Sequence, residues 1–129
     1  MRFAALCMLL LAGCAGPGCP PGLAPGLLAE AWFGRAIPGG SLVSDAAWAG
    51  FVDAELTPRF PDGLSVTELA GQWRGPDGAI VREPSRRVSV VLTEPARQRP
   101  LLAAAASAYR ARFSQDSVLV TETATCFRF

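Results

Sequence analysis

The fold class that the sequence predicts is α+β, with the order strand, helix, two hairpinned strands, helix, strand. Three observations carry it. Apolar residues recur at helical spacing near residues 44–56 and again from Pro100 to Phe113. Around those stretches lie strand-like runs, several of which alternate apolar and polar residues. Gly75-Pro76-Asp77-Gly78 joins two of these runs through a tight turn. This order suggests the ferredoxin-like βαββαβ arrangement, an antiparallel sheet with both helices on one face and the other face open.

Each element has its own signal. "EAWFGRAI" (30–37) has strand-type aromatics and stops at Pro38-Gly39-Gly40. Ser44 is a good N-cap, Asp45 in the first turn suits the helix dipole, and Val43 and Trp48 occupy the staple positions around that cap. Trp48, Phe51, Val52 and Leu56 then share one helical face, and Thr57-Pro58 ends it. "LSVTEL" alternates as a strand, and "GQWR" and "AIVRE" form the arms of a hairpin. Pro84 is expected to interrupt the second arm, with "RVSVVLT" (87–93) resuming it. A second helix is expected from about Pro100, burying Leu102, Ala105, Tyr109 and Phe113, and "SVLVTETATCFRF" supplies the last strand.

The amino terminus speaks about location. "MRFAALCMLLLAGC" has one positive charge at Arg2 and an apolar run from Phe3 to Ala12, too short to span a bilayer but suited to a signal-peptide core. Leu11-Ala12-Gly13-Cys14 resembles the bacterial lipobox, which predicts cleavage of a signal peptide 1–13 and lipidation of Cys14. The expected location is the bacterial cell envelope, with the protein anchored to the membrane, facing the periplasm. Ala15 after the cysteine favours the outer membrane. Residues 14–27 are nearly all Ala, Gly, Pro and Leu and read as a tether, leaving 28–129 as a single domain.

Cys19 and Cys126 remain as two thiols in an oxidising compartment. In the proposed topology the first and last strands are neighbours, so a Cys19–Cys126 disulfide fits; two unrelated thiols are the alternative. The bridge would close a loop of about a hundred residues, worth roughly 4–5 kcal/mol in the chain-entropy model.

Composition excludes more than it indicates. All twelve basic residues are arginine, and lysine and histidine are absent. After loss of Arg2, eleven arginines face eleven carboxylates, so there is no electrostatic footprint for nucleic acid. The missing histidine removes the commonest general base and zinc ligand. No cofactor or metal is expected, because no phosphate loop, nucleophile elbow or metal cluster is present.

Polar residues concentrate in "TPRFPDGLSVTELAGQWRG" and around it. A structural account makes Pro61-Asp62-Gly63 a turn, pairs Arg59 with Asp62, and pairs Arg74, Arg82 and Glu83 across the hairpin. A functional account places Arg35, Gln72, Trp73 and Arg82 around a shallow pocket for sugars or carboxylates, with planar hydrogen bonds and one stacking face. Asp62 or Glu83 could act as a general acid or base. If the domain has a site, Gln72, Trp73 and Arg74 are its first candidates.

"WFGRAIPGG", "SDAAWAGFVDAELTPRFPDGLSV", "GQWRG", "IVREPS" and "YRARFSQDSVLV…CFRF" together resemble the bacterial family catalogued as domain of unknown function 3574, over about residues 30–129. The resemblance implies a short envelope or secreted protein, often with a lipoprotein leader, and carries no residue role. The leading expectation is therefore a non-catalytic binding module, membrane-anchored through Cys14, with homodimerisation through the open sheet face. The alternative is a small periplasmic enzyme of the dimeric α+β barrel type with an Arg/Gln/Trp-lined pocket.

Overall fold

The computed structural model describes residues 18–129; the expected signal peptide, Cys14 and the first part of the tether lie outside them. The chain forms β1 (Ala24–Gly34), α1 (Asp45–Phe51), a π-helical turn (Val52–Leu56), β2 (Ser65–Arg74), β3 (Ile80–Leu92), α2 (Pro95–Phe113) and β4 (Leu119–Phe127). The strands make one sheet in the order β2-β3-β1-β4, every neighbouring pair antiparallel. This is the expected ferredoxin-like α+β fold.

Two boundaries follow from proline. β1 begins at Ala24 rather than Glu30, inside the stretch read as tether, because it pairs with β4 from Ala24↔Phe127 onward. It ends at Gly34 because Pro84, the next residue of β3, has no amide to give. The Arg35 carbonyl accepts from the amide of Val43 instead, at 2.8 Å, and the chain turns out of the sheet. β3 itself is not interrupted: Pro84 stays in register opposite Ala70, and its carbonyl still accepts from the Arg35 amide at 3.0 Å. α2 starts at Pro95, more than a turn before the expected Pro100. Pro100 is tolerated inside the helix because both it and Ala96, whose carbonyl loses a donor, are exposed.

Alternation on the central strands sets the core. Ala29, Ala31 and Phe33 of β1 and Val88, Val90 and Leu92 of β3 point to the helices and are buried. The two alanines let α2 approach, bringing Leu102, Ala105 and Tyr109 down onto the sheet. Phe33 is the hub: its ring centroid lies 4.8 Å from Tyr109, 5.5 Å from Trp48 and 5.6 Å from Phe51. Edge-on pairs of this kind contribute about 0.5–1.5 kcal/mol each beyond area burial. Ser44 caps α1 as expected, its hydroxyl accepting from the Ala47 amide at 3.1 Å, typically worth about 1 kcal/mol.

One charge is built into this face. Arg86 is 5% exposed; its Nη2 reaches Asp45 and Glu68, each at 2.7 Å, and its guanidinium lies 5.2 Å from the centre of the Trp48 ring. A disulfide joins Cys19 to Cys126 across 107 residues of sequence, with a Cα–Cα distance of 5.6 Å. It fastens the segment entering β1 to the end of β4, where the topology predicts.

Candidate functional site

The open face of the sheet carries the other half of the alternation. Trp32 and Gly34 of β1, Gly71 and Trp73 of β2, Val81, Glu83 and Ser85 of β3, and Leu119 of β4 all point away from the helices. Register fixes their order across the sheet: Leu119 lies opposite Trp32, Gly34 opposite Ser85, Glu83 opposite Gly71, and Val81 opposite Trp73. The small side of this diagonal is Gly34, Ser85 and Gly71, with an indole at each end. A cleft of about 470 Å³ occupies that hollow. Ile37 and Pro38 after β1, and residues 114–117 after α2, form its wall.

That wall is held by specific bonds. Ser114 ends α2 in the left-handed conformation (φ 52°), which turns the following residues toward the open face. Gln115 Nε2 then donates to the carbonyls of Ala36 at 2.6 Å and Phe113 at 3.3 Å, tying the two loops together. From the helix side, the Tyr109 hydroxyl donates to the Gly34 carbonyl at 2.8 Å. Burial pushes the Tyr109 hydroxyl up to about 12.

Among the described residues, Glu83 is the carboxylate in the cleft floor, and Asp116 stands on the loop above. Its Oε2 accepts from the Ala36 amide at 3.0 Å and its Oε1 from the Trp73 indole Nε1 at 3.1 Å. The carboxylate can lie there because Gly34 has no side chain: a Cβ on Gly34 would sit 2.9 Å from both Glu83 oxygens. So one residue fixes the loop after β1, orients one indole and presents a negative group to the cleft. Among the described residues no three metal-ligating side chains cluster.

The sequence-predicted site residues separate. Trp73 lines the cleft, and Gln72 borders it while its side chain takes the other face, opposite Arg82. Arg35 does not: its Nε and Nη2 donate to the Val43 carbonyl at 3.0 and 2.7 Å, and Nη2 also meets Asp45 at 2.9 Å, bracing the start of α1. Arg82 faces the other side of the sheet, opposite Gln72, and lines a shallower depression with Ala70 and Pro84. Arg74 ends β2 outside the cleft lining and, like Arg82, pairs with no carboxylate among the described residues. The expected Arg74–Arg82–Glu83 pairing across the hairpin is therefore corrected, because Glu83 lies on the opposite face from both arginines and bonds Trp73 and Ala36. Arg59 pairs with Glu55 at 2.7 Å rather than with Asp62, since the two sit one helical turn apart. Gly63 takes the positive φ, 134°, expected of the turn.

Sequence reasoning missed Trp32, Gly34 and Gln115. The available signal was a glycine inside a strand run directly after two aromatics, which marks close approach of another group.

The family described as "Protein of unknown function (DUF3574)" matches residues 29–129, which include every cleft residue named above. The chain belongs to this family. No curated protein matches the DUF3574 chain. Two solved structures are similar to it. One is a phage SAM lyase in complex with S-methyl-5′-thioadenosine, with a TM-score of 0.64 and 15% identity, covering 79% of this chain and 88% of that one. The other is a phage SAM lyase in the apo state, with a TM-score of 0.58 and 16% identity, covering 80% and 89%. At this identity the likeness establishes the fold. It also corrects the expectation of a non-catalytic interaction module, because the fold that this chain shares is that of an enzyme.

Proposed function

We propose that the chain is a small enzyme that carries out its reaction in the Trp32–Trp73 cleft, on a nucleoside-sized molecule. The observation that carries this reading is the floor of the cleft: an oriented carboxylate, Glu83, in a cleft of about 470 Å³ that Trp32 and Trp73 both line. That volume lies in the ordinary range for small-molecule sites, roughly 300–1,000 Å³. An indole offers a stacking platform for a base or other planar ring. The similar structure that holds S-methyl-5′-thioadenosine supports a ligand of that class. In this reading Trp73 and Trp32 position the ring, Gln115 stands at the margin, and Glu83 faces the reacting centre. Arg35 and Arg82 have no part, which revises the Arg-lined pocket expected from sequence.

The test is incubation of the purified protein with S-methyl-5′-thioadenosine and with S-adenosylmethionine, followed by chromatography and mass spectrometry. Conversion of one of them, lost in Glu83→Ala, is expected. If neither is converted and neither binds by calorimetry, the reading is wrong.

We also propose, on the sequence of the amino terminus, that the enzyme works in the envelope. The lipobox ending at Cys14 would anchor it through lipid to the outer membrane, on the periplasmic side, and the Cys19–Cys126 disulfide suits an oxidising compartment. Cys14→Ala should end incorporation of labelled palmitate; continued labelling would falsify the anchor. Exposed Trp73 and Leu119 on the open face support pairing of two copies there, for which a dimer by sedimentation at micromolar concentration is the expected result.

A further inference from the structure

We infer that the cleft selects a positively charged ligand, seating a sulfonium or ammonium centre over Glu83 between the indoles of Trp32 and Trp73. This rests on the reading that the cleft takes a nucleoside-sized molecule, and adds the charge that the molecule must carry.

The first argument is the company Glu83 keeps. Three carboxylate residues among the described residues are half-buried: Glu30, Glu55 and Glu83. Glu30 pairs with Arg87 at 3.2 Å and Glu55 with Arg59 at 2.7 Å. Glu83 has only neutral partners, the Ala36 amide and the Trp73 indole. Every basic residue of the chain is arginine, and among the described residues no arginine lines this cleft, while two carboxylates do. A half-buried carboxylate without a cation of its own favours a ligand that brings one.

The second argument is shape. The two donors engage each Glu83 oxygen once, and a carboxylate oxygen can accept twice. Gly34, Gly71 and Ser85 leave room above and beside the carboxylate, so a ligand centre can approach it without displacing a side chain. Trp32 and Trp73 stand at the two ends of this hollow, and an indole face is the aromatic surface that best attracts a cation. The Trp73 ring is oriented by its own N–H bond to Glu83, so carboxylate and indole are presented as one preformed unit.

The test compares two probes that differ by one methyl group and one charge: S-methyl-5′-thioadenosine and its S-methylated sulfonium. Titration calorimetry on the wild-type protein should find the sulfonium bound at least about tenfold more tightly, in keeping with a carboxylate and a cation–π contact in a half-desolvated site. Raising salt should narrow the gap, and Glu83→Gln should remove it. Equal affinities, tighter binding of the neutral thioether, or a preference that survives Glu83→Gln would overturn the inference while leaving a nucleoside-binding cleft in place. If neither probe binds, the cleft reading itself falls, and this inference with it.

Discussion

Glu83 and Arg86 stand three residues apart on β3, face opposite sides of one sheet, and each carries a charge out of bulk water. Arg86 is compensated within the fold by Asp45, Glu68 and the face of Trp48. Glu83 is oriented by two neutral donors and paired with no cation among the described residues. The difference separates a charge that closes a structure from one that awaits a ligand. On the helix side, the rings of Trp48, Phe51 and Tyr109 pack directly against Phe33. On the open side, two glycines and a serine keep a space open, and the residues around it are positioned rather than packed.

That contrast can be broken at several points. Phe33→Ala removes the hub of the aromatic cluster and should cost about 3–5 kcal/mol in denaturant unfolding, whereas Trp73→Ala, at a position 41% exposed, should cost far less. Comparable losses would mean that the open face is structural. Cys126→Ser acts on both faces through the strand ends and should cost about 2–5 kcal/mol, with cleft affinity falling only as β4 loosens. Gly34→Ala should cost about 1–3 kcal/mol, for the two hydrogen bonds of Glu83 that the new methyl displaces, and cut ligand affinity about tenfold or more. Unchanged affinity would show that the position of Glu83 does not matter.

The smallest effects are titrations on the helix side. The Tyr109 hydroxyl is raised by burial from 10.0 to about 12, so the stability it contributes is complete below about pH 10 and is lost as pH rises through 12. Tyr109→Phe should flatten that alkaline slope in pH-dependent melting. The Asp45 carboxyl is held below its usual range, chiefly by its hydrogen bond to Arg86 and then by the charge of Arg35. Its contribution is present above the unfolded value near 4 and disappears as pH falls below it; Asp45→Asn should remove that acid dependence.

Much of the fold was legible because it follows from local rules. The Ser44 cap, the turn at Asp77-Gly78 and the alternation of Val88, Val90 and Leu92 each act within a few residues. The Cys19–Cys126 bridge followed once the topology was assumed. Two misreadings came from proline, at Pro84 and Pro100, where tertiary surroundings decide whether a missing amide matters. A third set the start of β1 at Glu30; pairing with β4, not local pattern, recruits Ala24 onward. The site was legible only in part. Trp73 reaches the cleft, Gln72 only borders it, and Glu83 was among the acid–base candidates. Arg35, Arg74 and Arg82 fell away because their faces and partners depend on where β1 ends and how β2 and β3 register. Trp32, Gly34 and Gln115 become neighbours only when three separate segments meet.

The proposed ligand site lies on the open face of the sheet and not on the helix-covered one. The three tryptophans report on it directly: Trp32 and Trp73 line the cleft, while Trp48 sits in the core, 7% exposed. In a proton–nitrogen correlation spectrum, titration with S-methyl-5′-thioadenosine should move the Trp73 indole N–H most, move that of Trp32, and leave that of Trp48 in place. A shift confined to Trp48, or no shift in any indole at millimolar ligand, would contradict it.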